Sequence, residues 1–345
     1  MKYRFSLLLW LIVIGLAANG SLPIDSFDYA LPENNVSAIA LGIGGINLTD
    51  VGDPFASYGN PALLGFNDET SFYVAYRLSD KKEYDFGEIV SVSNVLKASQ
   101  FKYFTLNAGQ FAFSYQPMAS INISELDQDT NMALYHDYKL DKIQFSAGIT
   151  DKKLPNVTAG INLKYLNGRL VYLTERLEGS NLVRERFIDD KVKGLSGDIG
   201  LYGKYGSGSY GISFYDVLSR MWWENYPSKS IQRRVAAGAQ YGTGASKTFV
   251  GIQSKIAKKP ETTYHFGYGY GMVSESGGFG DAEPTKQGFD LRIGFYSHDF
   301  YGADNINLTL GGGYFYQVFR FDFSLNSKGL KLADSELLFS IGLGM

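Results

Sequence analysis

Residues 157–165 read Val-Thr-Ala-Gly-Ile-Asn-Leu-Lys-Tyr, and every second residue of this stretch is apolar. The residues between them are Thr158, Gly160, Asn162 and Lys164, which are small, polar or charged. Because successive side chains of a β-strand point to opposite faces, this alternation predicts a strand with one apolar and one polar face. One face could contact hydrocarbon while the other contacts water.

The same period of two recurs from residue 70 to the C-terminus, and helical periodicity is nearly absent there. In the last stretch only Leu338 departs from the pattern, because it is apolar on the polar face. Many segments have the ~9 to 11 residues that a tilted strand needs to span a bilayer. The boundary near Gln317 is the weakest, since no turn residues mark it. We predict strands at 70–78, 101–107, 109–116, 141–150, 156–173, 192–205, 208–216, 231–242, 247–257, 262–273, 287–298, 305–315, 317–325 and 335–344.

A soluble β-sandwich would give the same alternation, so link lengths provide a second test. Outer-membrane barrels have short periplasmic turns and longer outer loops, which must alternate along the chain. Links after odd strands are long, and most links after even strands are short; residues 274–286 are the exception. The sequence therefore predicts an all-β fold, a closed antiparallel transmembrane barrel of fourteen strands. The long links are 79–100, 117–140, 174–191 and 217–230.

Aromatic residues collect near the ends of the predicted strands, where they could form interfacial girdles. Packing in a soluble core is the alternative. Trp222 and Trp223 lie in a predicted outer link, where indole rings suit the headgroup level or a packing anchor. The other girdle candidates are Phe72, Tyr73, Phe101, Tyr103, Phe104, Tyr264, Phe266, Phe295, Tyr296, Phe300, Tyr301, Tyr314, Phe315 and Tyr316.

The N-terminus has the three parts of a secretory signal peptide. Lys2 and Arg4 precede an apolar run at 7–14, and small residues follow it. We expect cleavage after Gly20, with cleavage after Ala18 as an alternative and an uncleaved anchor as another. The chain has no Cys, so we expect no lipid anchor, and its formal net charge of −3 argues against nucleic-acid binding. These features favour the outer membrane of a Gram-negative-type bacterium.

Residues 21–69 do not alternate; they are rich in turn-forming and small residues. Within them a Leu-Gly-x-Gly-Gly stretch at 41–45 precedes Asp50 and Asp53, and the stretch 60–62 reads Asn-Pro-Ala. This order resembles that of the FadL-like outer-membrane proteins. That superfamily holds hydrophobic-compound transporters and the related barrels of the type IX secretion apparatus, of the PorV/PorQ kind.

The resemblance implies a fourteen-stranded barrel whose lumen holds an N-terminal plug, which we place at 21–69 with the barrel at 70–345. Pro61 fixes its own φ and favours an extended or turn conformation at the preceding residue. Glycines would let plug backbone approach the wall closely. A disordered periplasmic leader is the alternative. The candidate plug and gating residues are Gly42, Gly44, Gly45, Asp50, Asp53, Asn60, Pro61 and Ala62.

Catalytic and metal motifs are absent from the sequence. His136, His265 and His298 have no zinc-motif spacing, and no Gly-x-Ser-x-Gly elbow occurs. We therefore expect neither an enzyme nor a cofactor or metal. Asp50 and Asp53, with acidic residues at 68–69, could bind a divalent cation, but turn formation explains them more simply. The glycines and tyrosines of 267–271 predict an ordinary strand.

By resemblance, the leading function is passive, plug-gated passage of small hydrophobic or amphipathic, fatty-acid-like compounds across the outer membrane. An apolar ligand would enter from the outer loops and occupy an aromatic pocket beside the plug. The alternative is a barrel that does not transport but acts in secretion or surface-protein anchoring. In that case the mixed-charge stretch 175–193 could contact a secreted protein or lipopolysaccharide. Expected partners are outer-membrane lipid and either a small ligand or a secreted protein.

Overall fold

The computed structural model describes residues 35–78, 99–127, 131–179, 181–243, 245–257, 260–276, 285–297, 305–329 and 331–344. Fourteen strands follow one another around a closed antiparallel barrel, which confirms the predicted fold and strand order. They are β1 (Thr70–Leu78), β2 (Ser99–Ala108), β3 (Phe111–Asp127), β4 (Met132–Asp151), β5 (Leu154–Glu178), β6 (Asn181–Tyr205), β7 (Gly208–Trp223), β8 (Arg234–Thr243), β9 (Ser246–Lys255), β10 (Thr262–Ser276), β11 (Thr285–Ser297), β12 (Ile306–Tyr316), β13 (Phe319–Lys328) and β14 (Lys331–Gly344).

The barrel closes between its first and last strands. β1 pairs with β14 from Ser71 opposite Gly344 to Arg77 opposite Leu338, so these two strands leave no free edge along this register. We call the end where β1 begins and β14 ends the lower end, and the opposite end the upper end. Residues 1–34, which include the predicted signal peptide, and residues 79–98 lie outside the described part of the chain.

Apolar side chains cover the outside of the barrel. The odd residues of β5 point outward, and Leu163 is 62% exposed although it is a leucine. Equivalent exposed residues occur on the neighbouring strands, including Ile149, Leu195 and Leu310. Tyr314 and Tyr316 are exposed on the outer surface at the lower end. This arrangement is that of a membrane barrel, whose outer face is an apolar band bordered by aromatic residues.

Four neighbouring strands are much longer than a membrane crossing requires. β3 has 17 residues, β4 has 20, and β5 and β6 have 25 each, against the ~9 to 11 residues of a spanning strand. The prediction of loops at 117–140 and 174–191 was therefore wrong, because most of both stretches continues the strand ladder. Their outward faces turn polar above the membrane level, which hides the strands from a search for apolar alternation. We call this extension the upper wall.

An apolar cluster stabilises the inner side of the upper wall. Leu140, Leu166 and Leu170 are fully buried in it, and the side chain of Trp223 stacks on Tyr138 with ring centroids 6.5 Å apart. Trp223 is 8% exposed, so it does not lie at the lipid interface and is instead a packing anchor, the other alternative from the sequence. Trp222, the next residue back along β7, points outward and is exposed.

A two-residue turn joins β12 to β13 at the weakest predicted boundary. Gln317 has a φ of 51°, the left-handed region in which glycine or asparagine is usual. Its backbone N–H donates to the Lys286 carbonyl at 2.7 Å, which anchors the turn to the start of β11. Because a glutamine occupies this left-handed position, no glycine, asparagine or proline marks the turn in the sequence.

Candidate functional site

Residues 35–66 lie inside the barrel and form the segment that we call the plug. It contains helices α1 (Ala38–Gly42) and α2 (Ala56–Gly59) and a 3-10 helix (Pro61–Phe66). None of the helices in the described ranges has the length and apolarity for a membrane crossing. Ser37 caps α1 by accepting a hydrogen bond from Ala40 N–H at 3.0 Å. Since α1 and the 3-10 helix are almost entirely buried, the plug is a folded part of the structure.

Inward-pointing side chains of the barrel hold the plug by its carbonyl groups. Short helices leave carbonyls without partners, and each must find a donor if it is buried. Thr158 Oγ1 donates to the Ala62 carbonyl at 2.8 Å, and Tyr215 Oη donates to the Gly59 carbonyl at 2.6 Å. Asn107, Asn162 and Thr150 do the same for Pro54, Ser57 and Gly65. The plug is therefore anchored to several strands at once.

We expect Thr158→Val to loosen the lower part of the plug. The change keeps the shape of the side chain but leaves the buried Ala62 carbonyl without its donor, which costs ~1–3 kcal/mol. Hydrogen exchange of residues 60–66 should become faster, while that of the strands stays the same. Thr248→Val, an exposed position on the outer surface of β9, is the matched control and should change neither rate. Equal exchange in the two variants would show that the hydroxyl does not anchor the plug.

A row of glycines lets the plug approach the wall at backbone distance. On inward-facing positions of consecutive strands a Cβ atom would contact the plug, in several cases its backbone. Gly160 lies opposite both Gly148 and Gly200, and Gly267 lies opposite Gly294, so the glycines also adjoin one another across strands. We name this set the glycine belt: Gly148, Gly160, Gly200, Gly211, Gly238, Gly251, Gly267, Gly294 and Gly311.

The predicted plug glycines lie where α1 meets the wall. Gly44 and Gly45 have φ values of 95° and 91°, which suit glycine, and Gly42 packs against Gly311. The Gly44 N–H donates to Thr309 Oγ1 at 3.2 Å. His265 Nδ1 lies 2.6 Å from the Gly44 carbonyl, so this ring nitrogen carries a proton that it donates. His265 thus anchors the plug, while His298 lies outside the described residues.

Asp50 and Asp53 have different roles in the plug. Asp50 Oδ1 accepts from Lys247 Nζ of the wall at 3.0 Å. Asp53 accepts from Ser37 Oγ at 2.7 Å and from Asn47 Nδ2 at 3.0 Å. Burial raises the pKa of the Asp53 carboxyl, and these two hydrogen bonds oppose the shift. Among the described residues no group of three or more His, Cys, Asp or Glu side chains is placed to hold a metal ion.

Asn60 connects the plug to the wall through its side chain. Its side chain is completely buried, and its amide nitrogen donates to the carbonyls of Leu48 and Leu201, both at 3.0 Å. Its Oδ1 accepts from the Ala62 N–H at 3.1 Å and so caps the 3-10 helix, with Pro61 in the first helical position. One side chain therefore links two parts of the plug to β6.

A cavity of about 190 Å³ lies between the plug and the upper end of the barrel. Its floor is plug, including Phe55 and Tyr58, and its walls come from β3 to β11. The predicted aromatic pocket beside the plug is therefore present, but its lining is not apolar. Charged side chains also line it: Asp53, Lys142, Lys164, Asp198, Asp216, Arg234 and Lys255.

Two of these carboxylates share one lysine at an irregularity in the barrel. The pairing of β6 with β7 shifts register beside Asp198, and Asp216 has a φ of 56°, as in a β-bulge. Lys164 Nζ lies 2.6 Å from Asp198 Oδ1 and 3.0 Å from Asp216 Oδ1. Ser196 donates to Asp216 at 2.7 Å, so the buried charges are well hydrogen-bonded. This cluster has more negative than positive charge.

Lys142 brings a further positive charge into the cavity. Its side chain is 4% exposed, and its ammonium lies over the ring of Tyr58 at 4.9 Å and that of Tyr103 at 5.8 Å. Such cation–π contacts contribute ~0.5–2 kcal/mol each. Within the described ranges it makes no ion pair with a carboxylate. Sequence analysis missed this residue, although its place at an inward position between Leu140 and Gln144 distinguishes it from a surface lysine.

A second charged network lies below α1. Asp322 accepts from Arg292 Nη2 at 2.7 Å and from Arg320 Nε at 2.7 Å, and Asp290 contacts the same two arginines. Two cations and two carboxylates thus balance one another inside the wall. Gly313 leaves the space that the network occupies. Its position under the plug gives the lower part of the lumen a polar lining.

Comparison with known proteins identifies the fold. Neither a protein-family model nor a curated protein sequence matches the chain. The toluene transporter TbuX of Ralstonia pickettii has a TM-score of 0.54 at 13% identity, over 89% of this chain and 97% of that one. The P. putida toluene transporter TodX has a TM-score of 0.54 at 9% identity, over 91% and 99%. A Pseudomonas aeruginosa FadL homologue has a TM-score of 0.51 at 9% identity, over 90% and 98%.

The likeness extends over nearly the whole length of each of these three proteins. The chain therefore has the fold of the FadL-type outer-membrane barrels, a class with fourteen strands and an N-terminal segment inside the barrel. This confirms the fold expected from the resemblance at 41–62. At identities of 9–13% the likeness defines the fold alone.

Proposed function

We propose that the protein is an outer-membrane channel for small amphipathic compounds, which cross it passively when the plug shifts. In this arrangement the N-terminal 20 residues are the export signal, the lower end faces the periplasm, and the upper wall faces outward. Passage needs no cofactor and no covalent step. TbuX and TodX are described as toluene transporters, and their fold supports the proposal without defining the ligand.

The observation that carries the proposal is the position of the cavity. It opens above the plug, and both the plug and the wall line it, so a ligand there contacts the element that must move. Tyr58 of α2 and Tyr215 of β7 face the same space, and Tyr215 also binds the Gly59 carbonyl. A ligand bound in the cavity could therefore compete with contacts that hold the plug.

A second candidate function is docking of a secreted or surface protein. The ordered upper wall favours it, because β5 and β6 extend far beyond the membrane level and carry exposed charges such as Arg169 paired with Asp189 at 2.7 Å. A hydrocarbon channel has no evident need for such a wall. In this case the cavity would be a by-product of plug packing.

Native mass spectrometry of protein extracted gently from its own outer membrane separates the two candidates. A retained small amphiphile supports the channel and identifies its ligand class. A retained protein, in the absence of any small molecule, would contradict the channel and favour docking. Extraction in a second detergent with a different head group is the control, because a detergent molecule in the cavity would change mass with the detergent.

A further inference from the structure

We propose that Lys142 binds the carboxylate of a small aromatic acid, so that the channel selects aromatic anions over neutral hydrocarbons. The proposal rests on the proposed channel function and specifies its ligand. It follows from three features of the cavity, namely an unpaired buried cation, aromatic surfaces beside it, and a small volume.

Among the residues that the structure describes, the ion pairs of the cavity leave Lys142 without a carboxylate partner. Lys164 is shared by Asp198 and Asp216, and Lys255 pairs with Glu261 at 2.7 Å. Within the described structure no acidic side chain lies within ion-pair distance of the Lys142 ammonium. A cation that is 4% exposed has lost most of its hydration, so an anion reaching it through the cavity gains a charge-assisted hydrogen bond at little further cost in desolvation.

Aromatic rings surround this ammonium. Phe55 and Tyr58 of the plug contact Tyr103 of β2 with ring centroids 5.7 and 5.6 Å apart, in edge-to-face geometry. Rings arranged in this way offer faces and edges to a further ring. A ligand with its carboxylate on Lys142 could therefore place an aromatic body against the plug rings.

The size and polarity of the cavity favour a small charged ligand over two other ligand classes, long acyl chains and hydrocarbons. Its volume of about 190 Å³ is below the ~300–1,000 Å³ of sites for drug-sized ligands, which favours one ring over a long acyl chain. An entirely hydrocarbon ligand would leave the Lys142 charge without a partner, whereas the carboxylate of an aromatic acid accepts a hydrogen bond from it.

Isothermal titration calorimetry on the purified full-length protein tests the proposal with three probes of similar size. Benzoate carries the charge, whereas benzamide and benzyl alcohol do not. We expect benzoate to bind about tenfold more tightly than benzamide, as one hydrogen bond between charged groups predicts. Lys142→Met should abolish this preference, and Lys142→Arg should preserve it.

The matched control is Lys153→Gln, which removes an exposed lysine from the turn between β4 and β5 at the lower end and should leave the preference unchanged. The heat-dependent gel shift of the barrel reports folding of each variant. Equal affinity of the wild type for benzoate and benzamide would overturn the inference, as would a preference that survives in Lys142→Met. Binding of the neutral probes alone would overturn the inference but leave the proposed channel standing. Failure of all three probes would count against both.

Discussion

Gly267→Leu should displace the plug and open the lumen. A Cβ atom added at this position would overlap the backbone of Ile43 in the plug, and a leucine side chain has three further carbon atoms. The wall cannot retreat, because β10 is hydrogen-bonded to β9 and to β11 on either side. Gly294, directly opposite on β11, contacts the same part of the plug, so the plug has no room to slide sideways.

The expected result is a leak of small sugars through liposomes that contain the variant. Overpacking costs ~1–3 kcal/mol or more. Each ~1.4 kcal/mol lowers about tenfold the ratio of molecules with the plug in place to molecules with the plug displaced. Gly269→Leu is the matched control, since it lies on the same strand and the same face but its Cβ would meet Phe249 only at 3.8 Å. If both variants leak equally, or neither leaks, the glycine belt does not seat the plug.

Asn60→Ala should release the turn between α2 and the 3-10 helix. The substitution leaves the carbonyls of Leu48 and Leu201 and the N–H of Ala62 without their partner. The bonds to Leu48 and Ala62 are buried and the bond to Leu201 is partly buried, and a buried group costs ~1–3 kcal/mol when it is left unsatisfied. We therefore expect faster sugar leakage and new protease cleavage within 48–62, while the barrel keeps its heat-dependent gel shift.

Asn67→Ala provides the control for this experiment. Asn67 Nδ2 also donates to two carbonyls, those of Glu69 at 3.1 Å and Gly109 at 2.9 Å. It follows the plug directly, and its bond to Glu69 is exposed while that to Gly109 is only partly buried, so water can replace them more readily and we expect little change in leakage or cleavage. Unchanged permeability in Asn60→Ala would mean that its hydrogen bonds hold the plug in shape without gating the lumen.

The barrel could be predicted from the sequence because lipid makes the outer face of every strand apolar. That constraint is visible at 157–165 and again in the last strand, where the structure explains the one departure. Leu338 points inward and packs on Ala38 and Leu41 of α1, so its apolar side chain is explained by contact with the plug. A period-two pattern cannot distinguish this contact from a lipid contact.

The upper wall was missed for a related reason. Strands of β4 to β6 that rise above the membrane alternate between a small apolar core inside and charges outside, as at Leu170 and Arg169. Lipid contact makes the outer face of a membrane strand apolar. These strand ends lie above the lipid, so they lack the apolar outer face by which a strand was recognised in the sequence. Some predicted girdle residues are also inside the barrel. Phe55 of the plug packs on Tyr73 and Tyr103, and Tyr296 lines the cavity and stacks on His265.

The candidate site was only partly predictable. The glycines and Asn60 of the plug were identified through the resemblance at 41–62. The glycine belt and Lys142 were missed, since each belt glycine is an ordinary small residue on the polar face of its own strand. Only the register of neighbouring strands brings Gly148, Gly160 and Gly200 side by side. The inward-facing charged residues are far apart in the sequence, and only the structure shows that they line a single cavity.

The glycine belt also constrains the order in which the molecule assembles. Strands β4 to β12 contact the plug through it, and the plug continues directly into β1. A finished cylinder would have to admit a folded segment through one of its ends, past the side chains that line the lumen. The sheet is better able to curl around a plug already lying against it, with the seam between β1 and β14 joined last. The paired residues of this seam, Ser71 and Gly344, lie at opposite ends of the barrel sequence, so their contact is also the slowest to form.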